Sequence, residues 1–208
     1  MSAVLYFLTM AMVTFSDAYP ASSLPYGYTK RSVKLCDPPL NGLPSPVQLR
    51  FKYVALGLGT QNYTCANTSS SPVATGAVAT LYDATSLLSN APEVIPVLPP
   101  LAYSTSSSLG LPTLGHHFFS ASSVPTFDLQ AANPPAFLSA KKVASVNAPS
   151  ASVPNSVAWL YLADDGRGVS KDLKAVYRVE TASGSPPETC TKVGPIEVKY
   201  SAEYWFYE

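Results

Sequence analysis

Val47, Leu49, Phe51 and Tyr53 alternate with Gln48, Arg50 and Lys52. A period of two sends successive side chains to opposite faces, so this run has one apolar and one charged face, the pattern of a half-buried β-strand. The pattern returns near the other end of the sequence, in Pro195 to Tyr207 (PIEVKYSAEYWFY). There Ile196, Val198 and Tyr200 face one way and Glu197, Lys199 and Ser201 the other. After the first run, Gly57 and Gly59 free the backbone for a turn or bulge. Thr60 to Cys65 then resumes as a second extended segment.

Other segments read the same way. Gly76 to Thr85 (GAVATLYDAT), Gly115 to Phe119 (GHHFF), Pro125 to Leu129 (PTFDL) and Leu173 to Thr181 (LKAVYRVET) have strand composition or alternation. Val157 to Leu162 (VAWLYL) is apolar enough for burial on both faces. Lys141 to Val146 pairs as a short edge strand. Ser86 to Gly115 reads as a long ordered loop, and Asn133 to Ser156 as a second Pro/Ser/Ala-rich connection. Asp164 to Gly168 is a turn, and its acidic pair lacks the spaced ligands of a calcium loop. Twenty prolines and only 12% charged residues suit strands joined by rigid loops better than a helical bundle. About eight strands and no helix predict one all-β domain over residues 47–208, a β-sandwich or jelly roll. A formal net charge of zero argues against nucleic acid as a partner.

Ala3 to Phe15 is an apolar run too short to span a bilayer comfortably, followed by Ser16-Asp17-Ala18. This predicts a secretory signal peptide over residues 1–18, cleaved after Ala18. A Pro-rich leader covers 19–46, with the dibasic pair Lys30-Arg31 as a candidate processing site. No second long apolar segment follows, so no membrane anchor is expected, and the protein is expected to be extracellular. The oligomeric state is not legible.

The cysteines are Cys36, Cys65 and Cys190, and no pair has metal-ligand spacing. Three pairings are open. Cys65 and Cys190 both sit beside strand patterns, which favours their bridge, and Cys36 lies in the Pro-rich leader. Asn62-Tyr63-Thr64 and Asn67-Thr68-Ser69 are glycosylation sequons, with Asn67, in a Ser-rich loop, the better acceptor.

The pieces ALGLGTQNYTC, GAVATLYDA, GHHFF followed by FDL, VAWLYL, VYRVETASGSPPETC and KYSAEYWFY occur in this order from about Leu49 to the C-terminus. In their order and spacing the chain resembles the domain-of-unknown-function family 3455 of secreted fungal and bacterial proteins. The resemblance implies a β-sandwich-like domain and export, and no established activity. Fungal members often carry the label malate dehydrogenase. They also often have a cysteine just after the LYDA motif, where this chain has Thr85-Ser86, so Cys36 lacks that partner.

The residues themselves give that label no site. Gly57-Leu58-Gly59 lacks the third glycine of a dinucleotide fingerprint, and no βαβ unit is readable around it. No nucleophile elbow is present. No cofactor and no metal are expected. His116 and His117, the only histidines, point to opposite faces of a strand, so at most one joins a given pocket. Two functional readings remain. The first is a secreted binding protein for extracellular or cell-wall polysaccharide, with Gln61, Tyr63, His116, Trp159 and Tyr204 as candidate contacts. Its motive is the excess of strand aromatics, whose flat faces stack on sugar rings if exposed and build the core if not. The second is an enzyme of unrecognised class, with His117, Asp128 and Arg178 around one pocket.

Overall fold

A computed structural model describes residues 37–120, 123–149 and 152–208. The strands are β1 (Phe51–Cys65), β2 (Val73–Asp83), β3 (Thr113–Phe119), β4 (Pro125–Leu129), β5 (Ala136–Val146), β6 (Trp159–Asp164), β7 (Ala175–Ser183) and β8 (Gly194–Tyr207). Two short helices, α1 (Thr85–Asn90) and α2 (Leu98–Thr105), lie between β2 and β3. Every strand pairs antiparallel with its sequence neighbours, and β8 returns to β1. The expected all-β class holds, but the sandwich or jelly roll is corrected to one closed eight-stranded barrel. The long first strand makes closure possible. Leu56 of β1 faces Tyr82 of β2 on one side and Glu203 of β8 on the other. Closure gives every strand a neighbour on both sides, with only strand ends such as Lys141–Val146 paired on one side.

The glycines of β1 make no turn. The strand runs unbroken for 15 residues, with register shifts near Phe51/Tyr53 and Asn62/Tyr63. A Cβ on Gly57 would lie 2.5 Å from Cε2 of Tyr204, and one on Gly59 would run into the Val78 carbonyl. These two positions need glycine because a ring and a neighbouring strand occupy the side-chain space. Lys141–Val146 is not a separate short strand but the second half of β5: these residues pair with β6 alone, as expected of an edge, while Ala136–Ser139 of the same strand pair with β4.

Alternation gives the barrel two apolar layers. Inside, Leu81, Phe127, Leu129, Leu138, Val176 and Phe206 belong to one buried cluster. Outside, Val54, Leu56, Trp159, Tyr177 and Trp205 pack with Leu88 of α1 and Leu98 and Ala102 of α2. β8 is therefore buried on both faces from Tyr200 to Tyr207. The Ser86–Gly115 stretch is not wholly a loop, since it contains most of α1 and all of α2. Proline in the first turn of α2 replaces an N–H that would have no helical partner. Ser106 ends that helix in the left-handed region at φ 49°. Ser201 Oγ donates to the Pro99 carbonyl at 2.6 Å and holds α2 against β8.

The outer layer also encloses a carboxyl group, that of the fully buried Glu203. Trp205 Nε1 donates to its Oε2 at 2.9 Å, and Oε1 has no partner among the described residues. Burial raises its pKa well above the ordinary carboxyl range; the Trp205 bond lowers it and nearby Glu180 raises it further. Burial thus favours the neutral, protonated form of Glu203.

Cys65 and Cys190 are bridged, with Cα atoms 5.8 Å apart, tying the end of β1 to the loop before β8. Cys36, the signal-peptide segment and Lys30-Arg31 lie outside the described residues. Asn67 is exposed in the turn after β1. Asn62 is half-buried, and its Oδ1 accepts from Thr60 Oγ1 at 2.9 Å. Among the described residues no helix is long and apolar enough to cross a membrane.

Candidate binding cavity inside the barrel

The apolar plug does not fill the barrel. A cavity of about 600 Å³ is left inside it. Register decides which side chains reach it. His117 of β3 pairs with Phe127 of β4, and Arg178 of β7 lies between Leu160 of β6 and Tyr204 of β8. All five of these side chains, together with Gln61 of β1, line the cavity. Its apolar wall is completed by Phe119 and Leu162, and Lys142, solvent-exposed, contributes a second cation. Among the described residues, no aspartate or glutamate lines it.

Arg178 is the group the cavity is built around. Its Nη2 donates to the Ala158 carbonyl at 2.8 Å, and its Nη1 makes a long contact of 3.5 Å with Gln61 Oε1. Its Nε and Gln61 Nε2 are buried and make no well-formed hydrogen bond among the described residues, although Arg178 also interacts with the Tyr204 hydroxyl and Gln61 with that of Tyr200. The ion pairs among the described residues join Arg50 and Lys52 to Glu208 and Arg167 to Asp165, so none neutralises Arg178. Two buried donors left without a well-formed bond, at about 1–3 kcal/mol each, are a sizeable cost for one site.

The remaining polar walls carry no negative charge. Burial lowers the His117 pKa to about 4, against the raising effect of the Thr126 carbonyl and with a further lowering by Arg178. His117 is thus neutral at pH 7. Its Nδ1 lies 2.9 Å from the Thr126 carbonyl, which can only accept, so Nδ1 carries the proton and Nε2 keeps a lone pair. Its ring is stacked on Phe127, centroids 4.3 Å apart and planes 10° from parallel. The Tyr200 and Tyr204 hydroxyls share a 2.7 Å hydrogen bond. Burial raises both phenols, and the field of Arg178 pulls both back, helped by hydrogen bonding of Gln61 to Tyr200 and of Arg178 to Tyr204.

Of the sequence candidates, the structure therefore brings Gln61, His117, Arg178 and Tyr204 together. Tyr63 is buried on the same strand as Gln61, but its hydroxyl donates to the Gly184 carbonyl at 2.7 Å and it forms no part of the cavity wall. Asp128 does not join His117 and Arg178. It neighbours the inward Phe127, so it points away from the barrel and accepts from Gln130 Nε2 at 2.8 Å. His116 is exposed, on the face opposite His117. Trp159 is buried in the outer layer, as are Tyr177, Trp205 and Tyr207, so these aromatics offer no flat exposed platform. Gly57-Leu58-Gly59 lies in mid-strand, with antiparallel neighbours on both sides.

Sequence reasoning missed Lys142, Phe119, Leu160 and Leu162. Parity was the available signal: once His117 is placed inward, Phe119 on the same strand faces the same way. A family described as "Protein of unknown function (DUF3455)" matches residues 45–208. No curated protein and no solved structure gives a match.

Proposed function

The chain belongs to this DUF3455 family, whose description assigns no activity, so the function has to be read from the cavity: we propose that the protein is a secreted carrier or receptor for a small organic molecule held inside the barrel. One observation carries this reading. Gln61 Nε2 and Arg178 Nε are buried donors with no well-formed hydrogen bond among the described residues, and both residues line one interior cavity with otherwise largely apolar walls. A few convergent polar groups in an apolar concavity of about 600 Å³ is the ordinary makeup of a small-molecule site. The Cys65–Cys190 bridge supports export, since such bonds persist in oxidising compartments.

Ligand-observed NMR with a panel of neutral and charged amphipathic compounds tests the proposal. Compounds should bind the wild type and fail to bind Leu160→Trp, which fills the cavity from β6. Binding that survives this substitution would place the ligand elsewhere.

A catalytic use of the same cavity is the second reading, favoured by the unprotonated Nε2 of His117 beside an uncompensated guanidinium. It requires that a bound compound be chemically altered, and that His117→Gln stop the change while leaving binding intact.

A further inference from the structure

The charge balance of the cavity narrows its ligand. Among the described residues, the cavity wall holds the Arg178 guanidinium and Lys142 and no carboxylate. Tyr200 and Tyr204 stay as neutral phenols and His117 as a neutral imidazole at physiological pH. Arg178 is half-buried, and a partly desolvated cation without a counter-ion is unfavourable, so an anion entering beside it recovers part of that loss. The donors are suited to a planar acceptor. Arg178 Nε and Gln61 Nε2 both lack a well-formed hydrogen bond among the described residues, and the two side chains touch through Nη1 and Oε1. A carboxylate has two oxygens, one for each donor, and charge-assisted bonds of this kind are the strong ones. The lone pair on His117 Nε2 would repel a second anionic group, which favours a single charge. The other walls, Phe119, Phe127, Leu160 and Leu162, suit an apolar body.

Resting on the reading of the cavity as a ligand site, we propose that the ligand is a monoanionic organic acid. Its carboxylate lies between Arg178 and Gln61, and its apolar body lies along Phe119, Phe127 and Leu160. Lys142, exposed on the cavity wall, draws the anion in.

Matched acids and primary amides test this by calorimetry on the full chain: phenylacetate, naphthaleneacetate and dodecanoate, each against its own amide. At least one acid should bind about tenfold or more tightly than its amide. Arg178→Met should bring that ratio close to one. Gln61→Glu, which supplies an internal counter-ion and keeps the guanidinium, should do the same if Arg178→Met does not fold. An amide that binds as well as its acid overturns the acid assignment and leaves the cavity reading standing. A ratio that survives both substitutions assigns the anion to another site. If no acid and no amide binds the wild type, the cavity reading itself fails, and this inference with it.

Discussion

Gly57 lies directly under the ring of Tyr204: a methyl group on it would sit 2.5 Å from Cε2 and 2.9 Å from Cδ2. The two residues are on paired strands at the seam that closes the barrel, where Gly57 faces Ala202 and Ala55 faces Tyr204. The missing side chain on β1 is what lets a tyrosine from β8 reach the cavity wall.

Gly57→Ala should therefore push the Tyr204 ring into the cavity. We expect a loss of about 1–3 kcal/mol in denaturant unfolding, the usual effect of overpacking. Any ligand affinity should fall too, while Gly166→Ala, strained at its φ of 84° but outside the cavity wall, should leave affinity unchanged. Equal affinity in Gly57→Ala and wild type would mean that the ring has another place to go.

Acid should destabilise the fold through His117. Its folded pKa of about 4 lies below the ordinary 6.5, so between those values the unfolded chain binds a proton that the folded chain refuses. The stability is complete above pH 6.5 and is lost as pH falls toward 4, by about 3 kcal/mol. Denaturant midpoints across this window should flatten in His117→Gln. A slope identical to wild type would assign the acid sensitivity to other groups.

Glu203 works in the opposite direction. Its folded pKa is raised, so the folded state holds a proton that the unfolded carboxyl releases above its ordinary value of 4.5. The stabilisation is complete below that value and is lost as pH rises toward the folded pKa. Glu203→Gln keeps an acceptor for Trp205 Nε1 and cannot ionise. It should raise the unfolding midpoint at pH 8 relative to wild type and change it little at pH 4. A midpoint lowered at both values would contradict a protonated Glu203.

Breaking the bridge should cost about 4–5 kcal/mol in the chain-entropy description, because the two cysteines are 125 positions apart. The double substitution Cys65→Ser with Cys190→Ser, compared with wild type with and without reductant, measures this. A reductant effect that persists in the double variant would have to come from Cys36.

The strands were legible because alternation is local. PTFDL marks β4 to the residue, and the cysteines beside strand patterns marked the bridge. Closure was not legible, since one face in and one face out is the same pattern in a sandwich and in a barrel. Only the pairing of Leu56 with both Tyr82 and Glu203 distinguishes them, and pairing is not written in one strand. The helices escaped because α1 and α2 are six and eight residues long and neither has a side-chain N-cap. Gln61, His117, Arg178 and Tyr204 could be nominated because polar or aromatic groups in strand patterns are conspicuous. Asp128 could have been excluded, because it sits one position from Phe127 and so on the opposite face.

The seam between β1 and β8 also sets an order of events during synthesis. Leu56 leaves the ribosome long before Glu203, its partner across the seam. Until β8 emerges, the nascent chain is an open sheet whose β1 and β7 borders are bare, with Gly57 facing no ring and Arg178 no enclosure. Bare strand borders are templates for pairing with other chains, so a chain lacking β8 carries an aggregation hazard that the closed barrel does not. The cavity is complete only once β8 supplies Tyr204 to its wall and pairs with both β1 and β7.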